Sequence, residues 1–376
     1  MIYFDHNATT PMDERVMAAM EPFLSKYYGN PSSLYRWGRV ARDAIEQARA
    51  QVASLVNAQP SQVVFTSGGT EANNLALQGR MRKFPGGKLA VSAIEHSSVR
   101  ETALGLQQQG WQVSFIPVNA SGVIAIDALD ELLIGGDVQL VSCMAANNET
   151  GVVQPLAELA LTARRHGVVF HTDAVQATGK MPLNFSDTGA RMMTLSAHKI
   201  YGPKGAGALI LDSKLELMPL QYGGGQEQGL RGGTENVAAI VGFGKAAEII
   251  IQEREAHSAH VFDLRQQLEA GLKGIPGVTL FAEQARRLPN TLQFGVNGVD
   301  GEMLVMALDR ENIAVSSGSA CASGGSEPSH VLLAMGVEET LARSAVRVSL
   351  GKDNTPLEVE QFLASLQGIL RSFGVI

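Results

Sequence analysis

The first two-thirds of this 376-residue chain alternates short β-branched runs with helical patterns, and this alternation restricts the fold more than any other feature. Between two such runs, for example, Ile45, Ala48, Val52 and Leu55 recur at a spacing that places them on one face of a helix. Strands separated by helices predict an α/β fold whose mostly parallel central sheet is covered on both faces. Ligands in such sheets bind at the carboxyl ends of the strands. The candidate strands cover residues 62–66, 88–92, 111–116, 138–142, 167–171, 191–195 and 206–211.

The pattern changes after Pro276, where strands and helices mix without regular alternation. An Ala-, Glu- and Gln-rich segment, about 236–272, predicts one extended helix before that point. Further candidate strands lie at 278–282, 291–295, 313–316 and 345–350, and further helices near 301–311, 330–335 and 355–372. We therefore expect a large domain over 15–255 and a smaller α+β domain over 256–376. The pattern alone lets the N-terminal arm, 1–14, pack on either domain, and we expect it to join the small one.

Composition and charge narrow the function further. The chain has 30 Lys and Arg against 37 Asp and Glu, a net charge of −7, which disfavours nucleic acid or an anionic membrane as the main partner. It shows no signal-peptide pattern and no apolar run of about 18 residues, so a soluble cytoplasmic protein is expected. Two cysteines, Cys143 and Cys321, are too few for a disulfide framework or a thiolate zinc site.

The segment VVFTSGGTEANN, 63–74, has the pattern of a phosphate site. A candidate strand runs into Ser-Gly-Gly-Thr, and a helical pattern follows. Glycines let backbone N–H groups face an anion, and the dipole of a helix N-terminus adds to that attraction. An ordinary capped helix after a strand fits the same residues, so this segment alone leaves both interpretations open.

Two charged residues directly follow later candidate strands. Asp173 would need a cationic partner if it were buried, or it would cap a helix. Lys199 is flanked by Ser196 and His198, and a buried lysine readily loses its proton and attacks carbonyl groups, although most lysines are solvated surface residues. Lys204, in the glycine-rich turn that follows, is the weaker candidate.

A phosphate cradle, a carboxylate and a lysine together meet the needs of pyridoxal 5′-phosphate (PLP). His96 follows a candidate strand and would lie over the ring, although an ordinary loop histidine is the plainer interpretation. Cys321 stands among small residues in SSGSACASGG, a setting typical of an exposed nucleophilic thiol, although a lone cysteine is usually inert. Cys143 has the surroundings of a buried small hydrophobe.

Ten segments in order along the chain resemble the PLP-dependent cysteine desulfurases of the class-V aminotransferase family, in the subgroup with a long catalytic loop. They are YFDHNATTP, YGNPSS, FTSGGTEANN, AIEHSSV, NNETGVVQP, HTDAVQATGK, SAHKIYGPKG, GGGQEQGLRGGTENV, SSGSAC and VRVSLG. The resemblance runs nearly end to end. It implies a fold-type-I PLP transferase that forms a homodimer, with active sites at the subunit interface.

The resemblance also implies a role for each matching residue. Lys199 would bind the cofactor covalently, Asp173 would pair with its pyridine nitrogen, and Gln176 would hydrogen-bond its phenolic oxygen. His96 would stack on the ring and handle protons, and Cys321 would take sulfur from L-cysteine as a persulfide and leave L-alanine. The phosphate would be held by Gly69, Thr70, Ser196, His198 and, from the partner subunit, Thr234. The substrate carboxylate would be held by Asn147 and Arg347, and Asn147 would also contact the cofactor.

The resemblance further implies that the persulfide passes to an acceptor protein, in iron–sulfur cluster assembly, tRNA thiolation or DNA phosphorothioation. No metal site is expected beyond a transient cluster contact at Cys321, and no membrane or nucleic acid is expected as a direct partner. A selenocysteine lyase or an aminotransferase of the same fold is the alternative, but neither needs a thiol nucleophile at Cys321. A non-catalytic scaffold is a further alternative, against which the retained Lys199, Asp173 and His96 argue.

Overall fold

The structure, a computed structural model, describes residues 1–318 and 327–376. The strands are β1 (Ile2–Tyr3), β2 (Val63–Thr66), β3 (Lys88–Ser92), β4 (Gln112–Ile116), β5 (Val138–Ser142), β6 (Val169–Asp173), β7 (Met192–Ser196), β8 (Gly207–Leu211), β9 (Val278–Leu280), β10 (Thr291–Val296), β11 (Ile313–Ala314), β12 (Ser316–Ser317) and β13 (Val346–Ser349). The helices are α1 (Glu14–Ser25), α2 (Arg36–Leu55), α3 (Gly69–Met81), α4 (Ser97–Gln108), α5 (Ile126–Leu133), α6 (Leu156–Arg165), α7 (Phe185–Thr188), α8 (Val237–Lys273), α9 (Gly301–Arg310), α10 (His330–Ala334), α11 (Glu339–Arg343) and α12 (Pro356–Ser372).

The central sheet has the strand order β2-β8-β7-β6-β5-β3-β4. Strand β8 runs antiparallel to both its neighbours, and all the other neighbouring pairs are parallel. Both faces are covered: Val64 and Phe65, successive residues of β2, belong to two different core clusters. The first cluster includes residues of α2 and α8, and the second includes residues of α3 and α4. The predicted α/β fold with a mostly parallel sheet is confirmed.

The C-terminal part contains a second sheet, of order β12-β13-β10-β9, in which every neighbouring pair is antiparallel. Its core cluster contains Phe294 of β10 and Phe362 of α12, both fully buried. Two residues of the N-terminal arm contact this part: Ile2 pairs with Ile313 in parallel, and Phe4 is buried in the same cluster.

Helix α8 connects the two parts of the molecule. It has 37 residues and continues past position 255, where the predicted large domain ends. Phe243, in its first half, belongs to the cluster under the central sheet, whereas Leu268, in its second half, belongs to the C-terminal cluster. Within the part of the chain that the structure describes, neither this helix nor any other is long and apolar enough to cross a membrane.

Candidate active site

The carboxyl ends of β5, β6 and β7 meet the start of α3, the N-terminal arm and β13 around one cavity of about 450 Å³. Parallel strands place the residues that follow them at one edge of the sheet, so the position agrees with the expectation from the fold. The cavity is lined by Asp5, Asn7, Ala8, Gly69, Thr70, Asn73, His96, Ser98, Met144, Ala146, Asn148, Asp173, Val175, Gln176, Ser196, His198, Lys199, Ser316 and Arg347.

Asp173 is the last residue of β6 and is buried. Its two carboxylate oxygens have separate partners: Asn73 donates from Nδ2 to Oδ2 at 2.7 Å, and the backbone N–H of Val175 donates to Oδ1 at 2.9 Å. Asp173 ends a strand and does not cap an α-helix. Because two donors hold it, the carboxylate keeps a fixed orientation at the cavity wall.

Lys199 follows β7 in a short 3₁₀ turn, Ala197–Lys199, and its side chain is partly buried in the cavity. Its Nζ donates to the carbonyl oxygens of Asn7 at 2.5 Å and of Ala8 at 2.6 Å. The amine is therefore held by the backbone of the N-terminal arm. Lys204, the weaker candidate, is exposed and does not line the cavity.

The first turn of α3 and Ser196, the last residue of β7, together have the geometry of an anion cradle. The N–H groups in the first turn of a helix have no partner within the helix. Gly69 begins α3, and a Cβ added there would lie 3.6 Å from the Cβ of Ser196. The Ser196 hydroxyl oxygen is buried and has no hydrogen-bond partner among the described residues. A phosphate group would supply the acceptor that this hydroxyl lacks, so the cradle fits the phosphate of PLP.

His198, at the same end of the cavity, is a neutral imidazole at neutral pH. Burial, with a smaller contribution from the charges of Lys199 and Lys204, lowers the pKa of His198 to about 4. Its Nδ1 lies 3.1 Å from the Thr9 hydroxyl oxygen, which ties the ring to the N-terminal arm.

His96 caps the N-terminus of α4. Its Nδ1 accepts from the backbone N–H of Ser98 at 3.1 Å and lies 2.8 Å from the Ser98 hydroxyl. This contact fixes the ring orientation and leaves Nε2 as the nitrogen without a hydrogen-bond partner among the described residues. Burial lowers the pKa of His96, against an opposing effect of Asp173. His96 therefore supplies the cavity with a neutral imidazole near Asp173.

Arg347 enters the cavity from β13 and is buried. Its Nη2 donates to Asp5 Oδ1 at 2.6 Å, and its Nη1 donates to the carbonyl oxygen of Asn148 at 3.1 Å. The Nε atom is buried without a partner in the part of the chain that the structure describes. Because Arg347 lines the cavity, its guanidinium is suited to bind a carboxylate there.

Asn147 does not line the cavity, whereas its neighbour Asn148 does. The Asn147 side chain is used within its own turn: Oδ1 accepts from the N–H groups of Glu149 and Thr150 at 2.9 Å, and Nδ2 donates to the carbonyl oxygen of Ile94 at 3.1 Å. The turn thus presents the next residue to the cavity.

Some of the remaining predicted site residues line the cavity and others do not. Gln176 is buried at the cavity wall, and Thr70 also lines the cavity. Thr234 is exposed and does not line the cavity of its own chain. Cys321 lies outside the described residues. Cys143 is fully buried in the cluster beneath the sheet, as its surroundings in the sequence predict.

Ten of the lining residues were not predicted as site residues, and four of these ten carry a carboxylate or an amide: Asp5, Asn7, Asn73 and Asn148. Asp5 and Asn7 belong to the N-terminal arm, and no strand or turn pattern in the arm points to the distant sheet. Asn73 lies four residues after Gly69, on the same side of α3, and that spacing is the one signal that indicates it.

Comparisons with known proteins find a matching family, similar sequences and similar solved structures. The model of the class-V aminotransferase family matches residues 2–362. A cysteine desulfurase of Trichormus variabilis is 41% identical over 100% of this chain and 94% of its own length. A solved NifS-like protein has a TM-score of 0.93 at 37% identity and covers 99% of both chains. A structure of SspA in complex with cysteine has a TM-score of 0.83 at 35% identity, over 94% of this chain and 100% of that one.

Proposed function

Because this chain is a cysteine desulfurase of the class-V aminotransferase family, we propose that it converts L-cysteine to L-alanine and carries the sulfur as a persulfide on Cys321. The observation that carries the proposal is that Lys199, Asp173 and Arg347 meet in one cavity of about 450 Å³. The solved relative in complex with cysteine supports cysteine as the substrate.

PLP is the proposed cofactor, and when bound it supplies an electron sink that weakens bonds at the carbon atoms of an amino-acid substrate. Lys199 would bind the cofactor covalently, and Asp173 would pair with its pyridine nitrogen and keep that nitrogen protonated. His96 would stack on its ring and move protons at the substrate. Its phosphate would be held by Gly69, Thr70, Ser196, His198 and Thr234 of the partner subunit.

The exposed position of Thr234 supports the homodimer in this proposal. Since Thr234 does not line the cavity of its own chain, it can contribute to a phosphate site only in another copy. Each cavity would then be completed by the partner subunit.

Arg347 binds the substrate carboxylate with its guanidinium. The Asp5 carboxylate and the Asn148 carbonyl hold the guanidinium in place. We assign Asn148 a direct contact with the substrate because it lines the cavity, and Asn147 a supporting role, because its side chain closes the turn that presents Asn148.

The sulfur transfer itself needs no external oxidant or reductant. The Cys321 thiolate forms an S–S bond with the substrate sulfur as the Cβ–S bond of the substrate breaks. The proton of the substrate thiol balances the proton gained at Cβ, so the products are L-alanine and a persulfide anion on Cys321. Transfer of the terminal sulfur to an acceptor protein then restores the thiolate.

The proposal is tested by adding PLP and L-cysteine to the purified protein and measuring alanine, with a thiol present to remove the sulfur. We expect alanine and sulfide in equal amounts, and alanine only when PLP is bound. Selenocysteine, and an amino acid plus a keto acid, are assayed in parallel. Turnover of either in place of cysteine would contradict the proposal and favour the alternative activities of this fold.

Replacing Arg347 with lysine is expected to raise the KM for L-cysteine about 10- to 100-fold, because lysine cannot offer two parallel N–H groups to a carboxylate. The matched control is Arg100→Lys, which alters a partly exposed arginine paired with Glu101. Steady-state kinetics of both variants measures the effect. An unchanged KM for the Arg347 variant would show that the carboxylate is bound elsewhere.

A further inference from the structure

Lys180 is a partly buried lysine to which the proposed reaction gives no role. It follows Gly179, whose φ is 75° and where an added Cβ would lie 2.7 Å from Ile200 Cγ2. That close approach and the positive φ both require glycine at the position that precedes Lys180. Burial, with Lys199 and Arg347 as nearby charges, lowers the pKa of Lys180 well below its usual value.

The Lys180 amine donates to two side-chain amide oxygens. One is Asn7 Oδ1 at 2.8 Å and the other is Gln176 Oε1 at 2.8 Å. Independent contacts identify the Asn7 oxygen: the Asn7 Nδ2 donates to the Asn148 carbonyl at 3.1 Å, and Asn290 donates to Asn7 Oδ1 at 3.1 Å.

These contacts determine which way the Gln176 amide is turned. A lysine amine keeps at least two N–H groups whether it is protonated or neutral, and the two amide oxygens accept them. The oxygen of Gln176 therefore faces Lys180, and its Nε2 donates to the Asn7 carbonyl at 2.9 Å. The second N–H of Nε2 is left for an acceptor, and Gln176 lines the cavity.

We propose that Lys180 is a positioning residue that fixes the Gln176 amide with its amino group toward the cavity. The inference rests on the proposed function for the identity of the acceptor, which would be the phenolic oxygen of PLP. Without Lys180, the Gln176 amide oxygen loses its donor. The amide can then rotate and present its oxygen to the acceptor in the cavity, and two acceptor atoms repel each other.

The test uses the holoenzyme and three variants: Lys180→Met, Gln176→Leu and the double variant. We expect Lys180→Met to weaken PLP binding about tenfold, which is the effect of losing one charge-assisted hydrogen bond. The variant should also shift the cofactor absorption band in the same direction as Gln176→Leu does. In the double variant, the Lys180 change should weaken PLP binding by less than about twofold further, because its effect passes through Gln176. The conservative Lys180→Arg variant should retain the wild-type absorption band.

Two results would overturn the inference. One is a Lys180→Met holoenzyme with the wild-type absorption band and PLP affinity. The other is a further tenfold loss in the double variant, which would show that Lys180 acts independently of Gln176. Melting of the cofactor-free proteins detects a general loss of stability.

Neutron diffraction from wild-type crystals tests the orientation without any variant, since it distinguishes an amide ND₂ group from oxygen. Oxygen toward Lys180 supports the inference, and ND₂ toward Lys180 contradicts it. This result does not depend on PLP. If the wild-type chain failed to bind PLP, the proposed function would fail while the orientation of Gln176 was still being tested.

Discussion

Replacing Lys199 with alanine is expected to abolish covalent attachment of PLP and to reduce alanine formation from L-cysteine by about 10⁴-fold or more, the range seen when a covalent catalytic group is removed. The physical reason is that, in the proposed site, the Lys199 amine is the group that would attack the cofactor aldehyde. Borohydride reduction followed by intact-protein mass measures the attachment. The wild-type chain should gain the mass of reduced PLP, and the Lys199→Ala chain should not.

Lys204→Ala is the matched control, because Lys204 is an exposed lysine near Lys199 in the chain that does not line the cavity. It should retain both the adduct and the activity. The assignment would be wrong if the Lys204 variant lost the adduct and the Lys199 variant kept it.

Most strands of the central sheet could be predicted because they are short, buried apolar runs; β4, which is largely exposed, is the exception. β7, expected at 191–195, is found at Met192–Ser196, and β6, expected at 167–171, at Val169–Asp173. The antiparallel direction of β8 was not predicted, since an apolar run looks the same in either direction. The connection between β7 and β8, residues 197–206, is shorter than the crossover that a parallel neighbour requires. Its length therefore indicates that β8 is antiparallel.

The site was predictable where a charged residue lies at or shortly after the end of a buried strand, as with Asp173 and Lys199. It was not predictable where partners come from distant parts of the chain. Asn7, for instance, meets both Lys199 and Gln176 through its carbonyl oxygen. Asn147 and Asn148 are adjacent, and the sequence motif contains both. Only the geometry of the turn determines that Asn148 lines the cavity.

Replacing Cys321 with serine is expected to leave PLP bound and to reduce alanine formation by about 10³-fold or more, because a serine hydroxyl is far less ionised and less nucleophilic toward sulfur than a thiolate. The matched control is Cys143→Ala. Burial raises the pKa of the Cys143 thiol well above its usual value, so this residue is inert, and the variant should keep wild-type activity. The cofactor absorption band and alanine formation are measured for both.

An equal loss of activity in the two cysteine variants would point to damage to the fold. A Cys321→Ser variant that forms alanine at the wild-type rate would show that the sulfur leaves without passing through this thiol.

Intact-protein mass after addition of L-cysteine, without reductant, tests the central claim most directly. The account predicts that the wild-type holoenzyme gains the mass of one sulfur atom and that the Cys321→Ser holoenzyme gains none. A wild-type holoenzyme that forms alanine and gains no sulfur, or a Cys321→Ser variant that gains the same sulfur, would contradict it.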